Sequence, residues 1–260
     1  MGGYTDYEAA AQDGMSIAHA AAAYPDRTAV YSQYGDRTFG ELNANINRLV
    51  RVLRGAGVEY GERVALLCRN RAEFVEVASI AQRGGYWLTA VNWHLTPDEV
   101  GYIVEDCGAK ALFIDASIPC GRGVAEIATA PLLVSIAGEL PNCTTYESLL
   151  EGVDGSDIDN PRRGSTMLYT SGTTGRPKGV YRDRVAPPGP NAGGYDDACK
   201  HLVTGPLYHA APLLISLYPP LMFGAPVVLM DGWSPEETLR LIDEHKITHS
   251  HMVPTMFNRL

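Results

Sequence analysis

The sequence predicts an α/β protein with mostly parallel sheets. Short apolar runs of strand length alternate with segments of helical periodicity, which is the pattern of strands joined by crossover helices. The 260 residues are 45% hydrophobic and 20% charged, which is enough for a sizeable core in one large domain or two smaller ones. No internal repeat interrupts this pattern.

The first half of the chain gives the clearest alternation of strand and helix. Residues 63–68 form an apolar run of strand length. Residues 72–82 carry apolar side chains at helical spacing until Gly84 and Gly85 end the helix. Residues 86–91 predict the next strand of the sheet.

A capping box marks the next helix. Thr96 and Glu99 have the required spacing, and Pro97 stands at the first helical position, so we expect a helix that ends near Asp106. The elements predicted after it are strands at 111–114 and 131–136 and a short helix at 145–150.

A polar, acidic stretch at residues 151–164 predicts a connector between subdomains. We therefore expect a first αβ subdomain over residues 1–164 and the incomplete start of a second subdomain over residues 165–260. The elements predicted beyond the connector are a strand at 167–170, an apolar helix at 212–223, a strand at 226–230, a helix from the N-cap Ser234 to about His245, a strand at 249–253 and a helix from Pro254.

Net charge and composition argue against nucleic-acid-binding, secreted and membrane-spanning proteins. The net charge of -9 argues against a broad nucleic-acid-binding face, because such a face needs clustered Lys and Arg. The first residues lack the basic start and apolar run of a signal peptide, and no stretch has the length of a membrane span. A cytoplasmic location is therefore expected.

Cysteine and histidine spacing does not favour a metal site. The five cysteines never stand in C-x-x-C spacing, so reduced and mostly packed thiols are expected. His245, His249 and His251 are close in sequence, but they cross a predicted helix end, a turn and a strand. We assign no residue to a metal, and we place His245 at a helix C-terminus.

The decisive segment is Y-T-S-G-T-T-G-R-P-K-G-V, residues 169–180, with three glycines, four Ser or Thr hydroxyls and one lysine. Glycines let backbone N–H groups approach phosphate oxygens, hydroxyls can donate to the same oxygens, and Lys178 adds a mobile charge. The segment predicts a polyphosphate cradle. A flexible surface loop is the disfavoured alternative, and a Walker-type loop does not fit because Pro177 precedes Lys178 and Gly179 follows it.

This string resembles the signature loop of the adenylate-forming superfamily, Y-T-S-G-T-T-G-x-P-K-G, at every fixed position. That superfamily contains acyl-CoA synthetases, peptide-synthetase adenylation domains and firefly luciferase. The resemblance runs from about Pro25 to the end of the chain. The other segments that carry it are YGDRTFGEL at 34–42, GVEYGERVA at 57–65, GPLYH at 205–209 and VPTM at 253–256.

The resemblance implies the N-terminal part of the large domain of an acyl-activating enzyme, with stacked αβ subdomains and no C-terminal small domain. It implies a two-step reaction in which a carboxylate attacks the α-phosphate of ATP and a thiol then displaces AMP. The expected cofactors are ATP, Mg²⁺ and coenzyme A. The residues that the resemblance assigns to ATP phosphates are Thr170, Ser171, Gly172, Thr173, Thr174, Gly175 and Lys178.

His209 is the second residue, with Lys178, to which the resemblance gives a catalytic role. It is similar to the gate residue between the acyl and nucleotide pockets of acyl-CoA synthetases; a structural histidine held by a backbone carbonyl is the alternative. No Asp that would hold a substrate amine is found nearby, which favours an acyl-CoA synthetase over an amino-acid adenylation domain. The expected substrate is a carboxylic acid, with a fatty acid favoured and aromatic or other acids open.

Two features set this chain apart from the family pattern. Prolines within residues 181–190 forbid the regular helix that usually follows the loop. The family's later motifs, which hold Mg²⁺ and the ribose and include the small-domain lysine, do not occur before Leu260, so we expect the chain alone to be inactive. A carrier-protein adenylation domain, a non-catalytic nucleotide- or partner-binding fragment, and a homodimer remain open.

Overall fold

The structure, a computed structural model, describes residues 6–170, 176–181, 185 and 189–260. It confirms a mixed α/β fold with mostly parallel sheets. The strands in chain order are β1 (Thr28–Tyr31), β2 (Arg37–Thr38), β3 (Arg63–Leu67), β4 (Trp87–Ala90), β5 (Ala111–Asp115), β6 (Leu132–Ile136), β7 (Thr144–Thr145), β8 (Ser165–Thr166), β9 (Leu168–Thr170), β10 (Lys178–Val180), β11 (His201–Val203), β12 (Val227–Leu229) and β13 (His249–Ser250).

Helices occupy most of the connections between these strands. In chain order they are α1 (Tyr7–Asp13), α2 (Ser16–Ala23), α3 (Phe39–Gly55), α4 (Ala72–Arg83), α5 (Pro97–Asp106), α6 (Gly121–Ile127), α7 (Tyr146–Leu150), a π-helical segment (Pro212–Leu217), α8 (Tyr218–Met222), α9 (Pro235–His245) and α10 (Pro254–Phe257). Within the part of the chain that the structure describes, no helix is long and apolar enough to cross a membrane.

The chain forms two compact units that interleave along the sequence. The first contains the described residues of Met1–Asn43, Asn70–Val75 and Pro187–Leu260, and the second contains those of Ala44–Arg69 and Glu76–Ala186. The grouping differs from a division after residue 164, because strands from both ends of the chain build one sheet. Because these units are defined by contacts and not by continuous segments of sequence, they do not test the boundary expected after residue 164, and it stays a prediction.

The second unit contains a six-stranded sheet in the order β7-β6-β5-β3-β4-β8, with every neighbouring pair parallel. The central strands β4 and β5 are buried along their whole length. A parallel strand is covered on both faces by its crossover segments, so it can be apolar throughout. The predicted strands at 63–68, 86–91, 111–114 and 131–136 are confirmed, and the capping box of Thr96 and Glu99 opens α5 as expected.

The connector over residues 151–164 is tied to α3 by three arginines. The guanidinium groups donate to successive backbone carbonyls: Arg48 Nε to Val153 (3.0 Å), Arg51 Nη1 to Ser156 (2.6 Å) and Arg54 Nη1 to Asp159 (2.7 Å). These bonds satisfy carbonyls that have no strand or helix partner of their own. The connector is thus an irregular segment with a fixed path along α3.

The first unit contains a five-stranded sheet in the order β13-β11-β12-β1-β2. Its pairs are parallel except for β1 with β2. Val30 near the N-terminus pairs with Val227, so this sheet cannot form until both ends of the chain are present. The predicted strand at 226–230 and the helix capped by Ser234 are confirmed as β12 and α9.

The apolar helix predicted over 212–223 divides into the π-helical segment and α8. Pro219 and Pro220 have no N–H to donate to carbonyls four residues earlier, and their rings crowd those carbonyls. The backbone widens instead, and Tyr218 N–H donates to Leu213 five residues back. One regular helix was therefore the wrong expectation for this segment.

The last predicted strand is also shorter than expected. Only His249 and Ser250 pair with β11, and the pairing ends before the predicted limit at residue 253. The Thr204 hydroxyl donates to the His251 carbonyl over 2.9 Å, so a side chain takes the place of the next ladder bond. Residues 182–184 and 186–188, within the segment where prolines were expected to forbid a helix, lie outside the described residues.

His201 is a buried titratable group in β11. Its Nδ1 lies 2.9 Å from the Tyr195 hydroxyl. Burial, with smaller contributions from His249 and His251, lowers the pKa of His201 from 6.5 to about 4. Between these two values the unfolded chain binds more protons than the folded chain, so the free energy of unfolding falls as the pH drops.

We predict that His201→Gln reduces acid destabilisation, because Gln retains an acceptor for Tyr195 but does not titrate. The wild-type protein should lose about 2 kcal/mol more unfolding free energy than the variant between pH 7 and pH 5. Urea unfolding at both pH values measures this difference, with the exposed His94→Gln as the control. Equal acid sensitivity of wild type and His201→Gln would show that His201 does not titrate on unfolding.

Candidate active site

The described arms of the glycine-rich string pair with each other in the second unit. Strands β9 and β10 are antiparallel, with Thr170 opposite Lys178 and Tyr169 opposite Gly179. We call the described residues 168–170 and 176–180 the phosphate hairpin. The predicted site residues Ser171, Gly172, Thr173, Thr174 and Gly175 lie outside the described residues. Thr170 and Lys178 pair at the ends of the two strands that border residues 171–175. We call this end the mouth of the hairpin.

Two cationic residues, Lys178 and Arg176, lie at the mouth of the hairpin. Lys178 is exposed and has no ion pair within the described part of the chain. The exposed Arg176 precedes it by two residues, and the Thr170 hydroxyl lies 3.5 Å from the Lys178 carbonyl oxygen. An unpaired lysine beside a second cation suits an anionic ligand such as a polyphosphate.

The hairpin begins where the chain leaves the edge of the six-stranded sheet. Strand β8 pairs with β4, and the Met167 N–H donates to the Leu88 carbonyl over 2.8 Å before β9 begins. On the other arm, the Tyr181 ring stacks on Trp87 with ring centres 6.1 Å apart. The base of the hairpin is thus attached to the sheet through both of its arms.

The predicted acyl segment lies in the first unit. His209 N–H donates to the Pro206 carbonyl (3.1 Å), and the His209 carbonyl accepts from Leu213 N–H (3.2 Å), so His209 stands at the turn that starts the π-helical segment. Its ring centre is 4.5 Å from that of Tyr208. The side chain is exposed, yet partial desolvation by its neighbours lowers the pKa of His209. This desolvation favours the neutral form of the imidazole.

Asn70 supports this segment and was not predicted from the sequence. Its Nδ2 donates to the carbonyls of Gly205 (2.9 Å) and Met230 (2.8 Å), and its Oδ1 accepts from Leu207 N–H (2.9 Å). The side chain is 6% exposed. The Asn70 side-chain amide thus fixes the backbone that leads to His209. The only sign of this role in the sequence is a polar residue shortly after a buried strand.

Comparison with known proteins identifies the family. A family model described as AMP-binding enzyme matches residues 17–260. This chain belongs to the AMP-binding enzyme family. A feruloyl-CoA synthase from Amycolatopsis sp is 30% identical over 250 residues, which cover 91% of this chain and 47% of the relative. A 2-succinylbenzoate–CoA ligase from Bacillus pumilus (strain SAFR-032) is 30% identical over 256 residues, which cover 94% and 49%.

Solved structures of AMP-binding enzymes agree with the fold. The o-succinylbenzoate CoA synthetase of Bacillus subtilis, in complex with the acyl-adenylate intermediate OSB-AMP, has a TM-score of 0.72 at 26% identity over 94% of this chain and 62% of that chain. The same enzyme in complex with ATP and magnesium ion has a TM-score of 0.72 at 25% identity over 94% and 50%. The chain spans about half the length of the curated relatives it matches.

Two further features of the described residues add no residues to the candidate site. Among the described residues, no group of three or more His, Cys, Asp or Glu is arranged to hold a metal ion. A cavity of about 310 Å³ in the first unit is lined by β1, β12 and α9, including Tyr31, Asp36, Arg240 and His245. It contains none of the predicted site residues.

We predict that Asn70→Ala destabilises the protein, because three buried backbone groups lose their partner at once. The free energy of unfolding should fall by about 2 to 4 kcal/mol, measured by chemical denaturation. Asn258→Ala, at an exposed position, is the matched control and should stay close to wild type. A loss no larger than that of the control would show that residues 205–207 hold their path without Asn70.

Proposed function

We propose that this chain supplies the phosphate-binding and acyl-binding parts of an enzyme that activates a carboxylic acid with ATP and transfers it to coenzyme A. In the first step a carboxylate oxygen attacks the α-phosphorus and pyrophosphate leaves. In the second step a thiolate attacks the acyl carbon and AMP leaves. The observation that carries the proposal is the pairing of Thr170 with Lys178 across the mouth of the phosphate hairpin.

The residues of the hairpin have separate roles in this proposal. Lys178 neutralises charge on the β- and γ-phosphates as the pyrophosphate forms. The set proposed to bind the same phosphates is Thr170, Ser171, Gly172, Thr173, Thr174 and Gly175. Mg²⁺ is a hard cation that binds phosphate oxygens, and we propose that it arrives with ATP.

His209 is proposed to act on the acyl side of the reaction. The His209 imidazole lies beside the Tyr208 ring, and desolvation lowers its pKa, which favours the uncharged form. The two rings offer a flat, weakly polar surface, which suits a gate next to an uncharged acyl group. His209 would then affect the use of the acid more than the use of ATP. Its position at the start of the π-helical segment makes it sensitive to the packing of that segment.

The substrate is proposed at the level of a carboxylic acid. The named relatives are a feruloyl-CoA synthase and a 2-succinylbenzoate–CoA ligase, so a fatty acid is not specifically favoured, and that finer expectation stays a prediction. Coenzyme A as the acceptor is supported by the same names. A cytoplasmic location and a homodimer also stay predictions.

A non-catalytic role remains the competing hypothesis from another class. A reading frame that continues past Leu260 into the later family motifs would exclude it, whereas a stop codon there would favour it. Pyrophosphate exchange with coenzyme A added or withheld, across a panel of fatty and aromatic acids, separates a CoA ligase from an adenylation domain that loads a carrier protein.

We predict that Lys178→Ala slows adenylate formation more than thioester formation, because the phosphates that face Lys178 leave after the first step. In the product of the complete reading frame, acid-dependent pyrophosphate exchange should fall by about 10²-fold. Thioester formation from the supplied acyl-adenylate should change less than about threefold. Lys110→Ala, at a half-exposed lysine outside the hairpin, is the control, and equal losses in both half-reactions would remove the assigned role.

We also predict that the 260-residue chain alone does not catalyse the ligation. The family motifs that would hold Mg²⁺ and the ribose do not occur in it, so the hairpin would bind ATP weakly. The chain and the product of the complete reading frame should be assayed together for acid-dependent pyrophosphate release, and each titrated with ATP and Mg²⁺ by calorimetry. Robust turnover or tight binding by the chain alone would contradict this expectation.

A further inference from the structure

Helix α5 contacts both arms of the phosphate hairpin. The Tyr169 hydroxyl donates to Asp106 Oδ2 over 2.5 Å, and the Arg176 guanidinium carbon lies 5.3 Å from the centre of the Tyr102 ring. Tyr102 and Asp106 are four residues apart, so they lie on the same face of the helix. We call these two contacts the α5 anchor.

Tyr169 reaches Asp106 by passing across Gly179 on the opposite arm. A Cβ at position 179 would lie 3.0 Å from Tyr169 Cζ and 3.2 Å from Cε2, and it would also overlap the end of Met167. These distances are shorter than ordinary van der Waals contacts, so the neighbouring side chains would have to shift to accommodate a Cβ. An alanine at position 179 would require the end of the Met167 side chain to move and the Tyr169 ring to shift by a small amount, whereas glycine leaves room for the ring where it lies. Gly179 thus contributes to the α5 anchor by leaving room for the Tyr169 ring.

The chemistry of the Tyr169–Asp106 bond makes it persistent. Desolvation first, and the hydrogen bond to Asp106 second, raise the pKa of the Tyr169 hydroxyl well above its ordinary value. The hydroxyl therefore remains a donor throughout the physiological pH range. The ring itself packs against the buried core of the second unit, together with Tyr102. An apolar contact and a hydrogen bond thus hold the same arm.

The hairpin has other attachments that do not involve α5. Its arms pair with each other, Met167 N–H bonds to the Leu88 carbonyl, and Tyr181 stacks on Trp87. The Met167 and Tyr181 contacts lie at the base of the hairpin, and the strand pairing extends to Thr170 and Lys178. The α5 anchor adds contacts to Tyr169, adjacent to Thr170, and to Arg176, two residues from Lys178. Loss of the anchor should therefore free the mouth of the hairpin while the fold remains.

We propose that Asp106 and Tyr102 are positioning residues for the phosphate hairpin. They act through Tyr169 and Arg176, and they fix the direction in which Thr170 and Lys178 face a bound polyphosphate. Groups that are held in place before the ligand arrives cost less to order on binding, which lowers the KM for ATP. This catalytic consequence rests on the proposed function; the mechanical role of the anchor does not.

The test uses matched variants of the product of the complete reading frame. Asp106→Ala removes the acceptor, Tyr169→Phe removes the donor but keeps the ring, and Asp106→Asn keeps an acceptor. Glu105→Ala changes the adjacent exposed carboxylate and is the control. Two quantities are measured: hydrogen exchange of residues 165–181 without nucleotide, and the KM values for ATP and for the acid in pyrophosphate exchange.

We expect faster hydrogen exchange across the hairpin in Asp106→Ala and Tyr169→Phe, and a KM for ATP raised about five- to tenfold. The KM for the acid and the Glu105→Ala control should remain within about twofold of wild type. Asp106→Asn should recover most of the loss.

Wild-type hydrogen exchange and wild-type KM for ATP in both Asp106→Ala and Tyr169→Phe would overturn the proposal. Equal rises in both KM values, or no recovery in Asp106→Asn, would show a general structural role and would also overturn it. If the wild-type protein has no pyrophosphate exchange, the proposed function fails, and hydrogen exchange alone then decides whether α5 holds the hairpin.

Discussion

Parallel strand pairing is the constraint on which both units depend. Each parallel connection needs a covering segment between its strands, so the central strands become buried on both faces and cannot carry exposed chemistry. Polar and charged groups are therefore displaced to the segments that follow the strands. Asn70 after β3 and the phosphate hairpin after β8 are the clearest examples. In both cases the candidate residues follow the end of a strand.

Local signals in the sequence predicted local structure well. The capping box of Thr96 and Glu99, the N-cap Ser234 and the apolar runs of β3 to β6 each act within a few residues, and the structure confirms them. Long-range pairing could not be predicted in the same way: the pairing of Val30 with Val227 joins distant parts of the chain, and no local pattern reveals it. The π-helical segment before Pro219 was missed although its cause is local.

The phosphate motif shows how much a sequence motif alone can predict about the site. Its family was identified correctly from the residues alone, and the structure adds a division of labour within it. Lys178 is exposed and suits a ligand, whereas Tyr169 bonds to Asp106 and Gly179 leaves room for the Tyr169 ring. These two roles could not be predicted, because Asp106 lies far from the motif in sequence, at the end of α5.

The central claim, that this chain belongs to an enzyme that forms an acyl-adenylate, has a direct isotopic test. The product of the complete reading frame would be incubated with ATP, coenzyme A and a carboxylic acid labelled with heavy oxygen in its carboxylate, and AMP analysed by mass spectrometry. Attack by the carboxylate on the α-phosphorus transfers one labelled oxygen to AMP, and this is the predicted result. Unlabelled AMP, or label in orthophosphate released together with ADP, would contradict the account.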